Sequence, residues 1–386
     1  MNSMTRLSET LRKKLVQSLC EKGVIQSPAV EQAFLTVPRE AFVSSFFEQS
    51  SGSSLLWTQY DATQMSEADY LEQIYLDQAL VTQLNERKMP SSSSSLPSVM
   101  AKMLEALDVR PGQRILEVGT GTGYNAALLA VLTADPTAVV TIDMDPSLTE
   151  NAAQVLHEVV GSGIRVVTGD GFYGAAAWAP YDRIIVTASI PTIPCSLVDQ
   201  LAVGGKLVMD LQGPLASGFL VLEKTYDGVI GHFLPEPLYF MPLVSEALSV
   251  PEPVSVKSVP QSGTFLLPES HPYPGILSNT DFRWFFQWYL PGSRVQSLKR
   301  RDQKTDQMMS QISVSDAQLA AIVRFLKHPD QMFWSVEIYG TSPLFLRLLD
   351  AYDAFLSLGE AAPSYYQVQI ENGEKALCID GLKLLF

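Results

Sequence analysis

The stretch Arg114-Ile-Leu-Glu-Val-Gly-Thr-Gly-Thr-Gly-Tyr124 constrains this chain more than any other. Ile115, Leu116 and Val118 form a short apolar run of the kind that makes a buried parallel strand, and the helical pattern Asn125-Ala-Ala-Leu-Leu-Ala130 begins just beyond the glycines. Gly119, Gly121 and Gly123 remove every Cβ where the chain must turn sharply. A ligand can then touch backbone, and the N–H groups that open the helix face it. Strand, tight turn and helix in succession are the seed of an α/β sheet.

The neighbours of the turn say what it can hold. Its spacing is G-x-G-x-G, not the G-x-G-x-x-G of dinucleotide oxidoreductases, and Glu117 sits inside the strand two residues before the first glycine. A carboxylate there would repel a pyrophosphate but suits the cationic amino group of a methionine moiety. The next strand, Ala138-Val-Val-Thr-Ile-Asp143, ends in an acid roughly 20 residues past the glycines, placed to accept both ribose hydroxyls. Two merely solvated strand-end charges are the alternative, and the paired offsets of Glu117 and Asp143 favour the binding role.

At 386 residues and 46% hydrophobic, the chain can bury a full core and is expected to form two or three domains. A net charge of −14 argues against a nucleic-acid backbone as substrate, which needs a basic footprint. Cys20, Cys195 and Cys378 show no C-x-x-C spacing and the histidines are scattered, so neither a disulfide framework nor a metal site is signalled and a reducing cytoplasm fits. No apolar run approaches membrane-spanning length, and no signal-peptide core is expected at the N-terminus.

Along the chain, Leu7, Leu11, Leu15 and Leu19 predict an amphipathic helix ended at Gly23, and Ser27-Pro28 caps a second helix that Pro38 stops. The polar segment Glu48 to Gln64 reads as a loop. Met89-Pro-Ser-Ser-Ser-Ser-Ser-Leu-Pro-Ser98 reads either as a flexible linker or, since it leads into a helix at Val99 to Leu107, as hydroxyl and N–H groups that hold a carboxylate. Beyond Asp143 come a helix from Ser147 to Val160, a strand from Ile164 to Thr168 followed by Gly169-Asp-Gly171, a strand from Tyr181 to Thr187, a helix from Ser196 to Leu201, a turn at Gly204-Gly205 and a strand from Lys206 to Asp210. This alternation implies a Rossmann-like, doubly wound parallel sheet with ligands at the C-terminal strand ends, where Glu117, Gly119, Asp143 and Asp170 fall.

These residues carry a resemblance. Leu116-Glu-Val-Gly-Thr-Gly-Thr-Gly-Tyr-Asn-Ala-Ala-Leu-Leu-Ala130, Gly169-Asp-Gly171, Ala179-Pro-Tyr-Asp-Arg-Ile-Ile-Val-Thr-Ala188 and Gln200-Leu-Ala-Val-Gly-Gly-Lys-Leu-Val208 resemble the protein-L-isoaspartate O-methyltransferases, as do Val37-Pro-Arg39 and Tyr239-Phe-Met-Pro-Leu243. The resemblance covers roughly the first 245 residues. It implies S-adenosylmethionine as cofactor, its methionine part on Glu117 and the Gly119 turn, its ribose on Asp143 and its adenine at Asp170 and Gly171. Thr120, Gly121, Gly123, Tyr124 and Met144 complete the implied cofactor set. The family's substrate motif, Thr-x-Ser followed by Gln-Pro, falls on Ser93-Ser94-Ser95-Leu96-Pro97 and assigns the carboxylate-binding hydroxyl to Ser95. Ser93 for threonine and Leu96 for glutamine are departures, and the serine run is similar to the branch that methylates aspartate in ribosomally made peptides, where the ester collapses to a succinimide. The partner implied is a peptide or protein carrying aspartate or isoaspartate.

A Pro-, Ser- and Val-rich stretch at 246–263 reads as a linker between a core at 89–245, preceded by an N-terminal helical cap at 1–88, and a small α+β domain at 264–386. That last domain is expected to hold an aromatic segment from Phe282 to Leu290, a helix from Asp316 to Leu326, a strand from Phe333 to Tyr339, a helix from Pro343 to Leu358, and a hairpin turned at Asn372-Gly373. Arg294, Lys299, Arg300, Arg301 and Lys304 form a basic cluster that reads as a solvated loop or as a docking site for an acidic peptide. The functions left open are a peptide-specialised carboxyl methyltransferase, a general isoaspartate repair enzyme, and a non-catalytic peptide-binding module, against which the intact Glu117, Gly119, Asp143 and Asp170 set argues. The pattern disfavours a nicotinamide oxidoreductase.

Overall fold

A computed structural model of the chain describes residues 3–49, 56–61, 63–248, 259–301, 308–316, 318–328, 330–341 and 343–386. Pro251-Glu-Pro253 of the expected linker and Lys304 of the basic cluster lie outside the described residues, as does the side chain of Arg300. The chain divides into two compact units, one of Met1–Asp210, Leu220–Ile230 and Leu238–Ala247, the other of Leu211–Phe219, Gly231–Pro237 and Leu248–Phe386.

The chain runs α1 (Ser3–Glu21), α2 (Pro28–Thr36), β1 (Ser45–Gln49), β2 (Trp57–Asp61), α3 (Glu67–Ile74), β3 (Leu80–Leu84), β4 (Pro90–Ser94), α4 (Pro97–Leu107), β5 (Ile115–Val118), α5 (Tyr124–Thr133), β6 (Val139–Asp143), α6 (Pro146–Val159), β7 (Arg165–Thr168), β8 (Tyr181–Ile190), α7 (Cys195–Gln200), β9 (Leu201–Gln212), β10 (Ser217–Lys224) and β11 (Val229–Leu234). Strands β7, β6, β5 and β8 lie in that order and pair in parallel, with β9 next to β8. Every residue of β5 is buried, as is α5 from Tyr124 to Ala130, so the glycine turn sits between two elements held by the core.

The start signals act as the sequence implies. Ser27 Oγ accepts from Val30 N–H with Pro28 opening the helix, and Asp145 caps α6 through Ser147 N–H with Pro146 behind it. Three expectations for this unit are corrected. Residues 45–49 and 57–61 of the expected loop and its flank are an antiparallel pair, so the N-terminal segment is not purely helical. The serine run is neither linker nor loop: β4 pairs with β3, Leu80 opposite Ser94 and Val81 opposite Ser93, and Ser92 and Ser94 are buried while Ser91 is exposed. A strand needs only alternating burial, and small hydroxyl side chains meet that need when the buried ones find partners. Gly204-Gly205 is not a turn between elements but a kink inside β9, Gly204 at φ +77° and Gly205 packed where a Cβ would stand 2.8 Å from the Ala202 carbonyl.

The second unit contains β12 (Gln261–Pro268), α8 (Thr280–Tyr289), β13 (Ser293–Arg301), β14 (Met308–Asp316), β15 (Ala321–Lys327), β16 (Phe333–Tyr339), α9 (Leu344–Ser357), β17 (Gln367–Glu371), β18 (Glu374–Ile379) and β19 (Leu382–Leu385). An antiparallel sheet orders β12-β16-β15-β14-β13. The expected helix from Asp316 to Leu326 is instead the end of β14, a turn and β15. Asp316 Oδ1 accepts from Leu319 N–H in the turn, and the β-branched and aromatic run Ile322-Val-Arg-Phe325 has strands on both sides to pair with, which overrides a weak helical pattern. The basic cluster is accordingly strand: Arg294, Lys299 and Arg301 lie on β13. The Asn372-Gly373 hairpin forms as expected, both residues at positive φ and Glu371 paired with Glu374. Aromatic side chains fill this core, Phe282 stacking on Phe286 and meeting Phe355 edge-on.

Candidate active site

A cavity of about 330 Å³ opens where β5 and β6 end, between the glycine turn and the serine strand β4. Glu117 and Thr141 are register partners on adjacent parallel strands, so their side chains share a face. Thr141 donates to Glu117 Oε2 at 2.7 Å, and Asn125, in the first turn of α5, donates its amide to Oε1 at 2.7 Å. Burial pushes the Glu117 carboxyl up to about 7, against the pull of these hydrogen bonds and with a further push from Asp143. Asn125 Oδ1 is buried, and among the described residues nothing donates to it.

The turn is shaped by its glycines. Gly119 has φ +101°, and a Cβ on it would lie 2.6 Å from Thr187 Oγ1, which donates to the Val118 and Gly119 carbonyls. Asp143 lines the cavity. Its Oδ2 accepts from Gly121 N–H at 3.0 Å and its Oδ1 from Asp145 N–H at 3.2 Å, which leaves each oxygen a further lone pair. Thr120, Gly121, Tyr124, Met144 and Gly171 also line the cavity. Gly123 and Asp170 do not: Gly123 packs against Ala152 and Leu156 of α6, and the Asp170 carboxylate accepts from Phe172 N–H and from the Ser245 hydroxyl.

The serine strand closes the other side, and a Cβ on Gly121 would touch Ser92 Oγ and the Ser93 carbonyl at 3.7 Å. Its hydroxyls divide by strand period. Ser94 is buried and accepts from Arg39 Nε at 3.3 Å, and Ser92 accepts from Thr82 at 3.4 Å. Among the described residues the hydroxyls of Ser93 and Ser95, both on the cavity wall, make no hydrogen bond to the protein. The remaining wall is the Tyr239–Val244 segment, tied to the end of β8 by Ser189 Oγ to the Phe240 carbonyl and Leu243 N–H to the Ser189 carbonyl, and to β9 by Phe240 N–H to Asp210.

Sequence reasoning placed Glu117, Gly119, Asp143 and Ser95 on one cavity but missed Asn125, Thr141, Thr187 and Arg39 as its builders. A polar residue inside the apolar patterns of α5 and β6 was the available signal for the first two.

This sheet order, with an acid inside the first strand, a glycine turn and a second acid ending the next strand, is the α/β fold of the S-adenosylmethionine-dependent methyltransferases. A family model described as Protein-L-isoaspartate(D-aspartate) O-methyltransferase matches residues 56–248. A protein-L-isoaspartate O-methyltransferase of Hyperthermus butylicus is 35% identical over 243 residues, covering 61% of this chain and 89% of that protein. One of Pyrococcus horikoshii is 35% identical over 236 residues, covering 61% and 93%. A solved protein-L-isoaspartate O-methyltransferase superimposes with a TM-score of 0.55 at 21% identity, covering 96% of this chain and 99% of that one. The chain belongs to the protein-L-isoaspartate O-methyltransferase family and is an S-adenosylmethionine-dependent enzyme.

Proposed function

We propose that this chain esterifies the side-chain carboxyl of an aspartyl or isoaspartyl residue, holding S-adenosylmethionine with its methionine ammonium against Glu117 and Asn125 and its ribose against Asp143. The observation that carries this reading is the orphaned Oδ1 of Asn125 beside the buried Glu117. One free acceptor next to a carboxylate suits a cation with several N–H donors and does not suit a pyrophosphate. Gly119, Thr120, Gly121, Tyr124, Met144 and Gly171 supply the wall for the rest of the molecule, with Gly123 and Asp170 shaping it from behind. When bound, the cofactor supplies an electrophilic methyl group on a sulfonium.

An aspartyl carboxylate has a pKa of roughly 4 and is already anionic at neutral pH, so no general base is needed. The protein has to orient that carboxylate and replace its water shell. The uncommitted hydroxyl of Ser95, with Ser93 beside it, is suited to this, whereas Ser94 is turned to Arg39. Isothermal titration tests the class: S-adenosylmethionine should bind and NAD should not, and the reverse result would overturn it.

The finer reading concerns the acceptor. We propose an aspartate within one larger, pre-shaped, ribosomally made peptide, whose methyl ester loses methanol as the following backbone nitrogen attacks and closes a succinimide. Ser93 and Leu96, standing where the family motif has threonine and glutamine, support it. General repair of isoaspartyl protein is the other reading. It is favoured by a solved enzyme of that name that covers 96% of this chain, so the C-terminal region is no departure in itself. We assign 89–245 to catalysis, 1–88 to a cap, 246–263 to a linker and 264–386 to an accessory role, peptide docking along β13 included. We place the protein in the cytoplasm, a reducing compartment that suits a sequence without disulfide or C-x-x-C spacing; among the described residues no helix is long and apolar enough to cross a membrane. A kinetic comparison decides the acceptor: a generic isoaspartyl peptide methylated as efficiently as any encoded partner would remove the specialised reading.

A further inference from the structure

Arg39 is fully buried, yet among the described residues no carboxylate pairs with it. Each hydrogen bond it makes goes to a neutral oxygen. Nη1 donates to the carbonyls of Ile74 at 2.8 Å and Leu76 at 3.1 Å, and Nη2 to those of Gln78 at 3.0 Å, Ser94 at 3.3 Å and Ser95 at 3.0 Å. Nε donates to the Ser94 hydroxyl. Burial lowers its pKa to about 10, which leaves it charged at neutral pH. An unpaired buried cation is expensive, and a neutral side chain could staple loops at lower cost.

What the charge does follows from peptide geometry. Among the described residues the cis bonds are Ala179-Pro180 and Tyr273-Pro274, so the peptides after Ser94 and Ser95 are trans, with N–H directed opposite to C=O. Holding the Ser94 and Ser95 carbonyls therefore turns the N–H groups of Ser95 and Leu96 away from Arg39. Ser95 and Leu96 line the cavity and Arg39 does not. Neither N–H has a partner among the described residues.

We infer that Arg39 is a positioning residue for the acceptor: by gripping the two carbonyls it aims the N–H groups of Ser95 and Leu96 into the cavity as a paired receptor for the substrate carboxylate, with a buried positive charge behind them. The inference rests on the carboxyl-methyltransferase reading above. The carboxylate loses its charge as it becomes an ester, so the receptor grips the substrate at least as firmly as the transition state. Its loss then appears in KM more than in kcat.

Leu96 has φ −55°, already in the proline range, and its N–H is unpaired, so Leu96→Pro deletes one receptor donor at little cost to the fold. Leu96→Ala controls for the side chain. With a short isoaspartyl peptide as acceptor, Leu96→Pro should show a KM about tenfold above that of Leu96→Ala, as expected for losing one hydrogen bond to a charged group, with kcat within about threefold and S-adenosylmethionine affinity unchanged. Arg39→Lys, which keeps the charge but not the fork, should raise KM in the same way. Equal KM values for the two Leu96 variants would overturn the receptor. An Arg39→Lys protein with lower Tm, lower kcat and weaker cofactor binding but unmoved KM would make Arg39 merely structural. A readout independent of turnover uses the intact protein with S-adenosylhomocysteine: titration with acetate should shift the amide resonances of Ser95 and Leu96, and their failure to move would overturn the receptor. A wild-type protein that methylates no carboxylate peptide would count against the functional reading, while the acetate shifts still decide the receptor.

Discussion

At the glycine-turn end of the cavity Glu117 is held by Asn125 and Thr141, and Gly121 N–H is held by Asp143, all through residues within the βαβ unit from Ile115 to Asp143. At the serine end the wall is assembled from afar: Arg39 reaches Ser94 and Ser95, Gln83 bridges Ser91 to Asp145, and the hydroxyls of Ser93 and Ser95 stay uncommitted. At the first end the carboxylates of Glu117 and Asp143 are already hydrogen-bonded before any ligand arrives, as recognition of one invariant cofactor requires, and Asn125 Oδ1 is left for the ligand. The second keeps the hydroxyls of Ser93 and Ser95 in reserve for the acceptor's carboxylate. Substitutions at the two ends should therefore separate cofactor affinity from acceptor turnover.

The largest effect is expected from Gly119→Ala. A Cβ at φ +101° carries backbone strain and also meets Thr187 Oγ1 at 2.6 Å, so the turn must shift. With roughly 3 kcal/mol of strain and clash, S-adenosylmethionine affinity should fall on the order of a hundredfold by calorimetry. Affinity close to that of the unaltered protein would mean that the turn is softer than its packing implies. Next, Asp143→Ala should weaken cofactor binding by at least about tenfold, through loss of a charge-assisted contact to ribose. Unchanged affinity would sink that assignment.

How far each end was legible in the sequence follows the same division. Glu117, the glycines and Asp143 are readable because a strand, a turn and a strand end set their roles over a few dozen residues. That Thr141 faces Glu117 is a matter of strand register, and no local pattern states it. The serine run was ambiguous because it carries no apolar alternation, and its burial at Ser92 and Ser94 is satisfied by Thr82 and by Arg39, whose position 55 residues upstream makes it invisible to a window. The segment from Asp316 to Leu326 was misread for a related reason: β15 is the middle strand of its sheet and apolar on both faces, so neither a period of 2 nor one of 3.6 dominates.

A smaller and purely kinetic effect sharpens the acceptor end. Ser95→Ala should lower kcat/KM for the acceptor by roughly tenfold, the value of a hydrogen bond to a charged group, and leave S-adenosylmethionine affinity intact. Ser93→Ala should do less. If Ser93→Ala or Ser94→Ala were harmful and Ser95→Ala silent, the register of the serine strand against the acceptor would be wrong.

The smallest effect tests the cofactor end through pH. Glu117 ionises near pH 7 in the ligand-free protein because burial opposes its charge. A bound ammonium favours the carboxylate, so binding below that pH must expel a proton, and affinity should rise as pH rises. The ligand's own α-amino group loses its proton near pH 7.7–8.0, so the rise should turn over: roughly fivefold tighter binding at about pH 7.4 than at about pH 6, then a decline. Stability has the opposite sign. A carboxyl whose folded pKa lies above its unfolded value holds a proton that the unfolded chain has released, so its contribution is full below about pH 4.5 and is lost as pH rises through about 7. Glu117→Gln should flatten the rising limb of the affinity profile and keep the falling one. If the rising limb survived in that variant, another group would be the one that meets the ammonium, and the pairing of Glu117 with Asn125 would have to be read as structural alone.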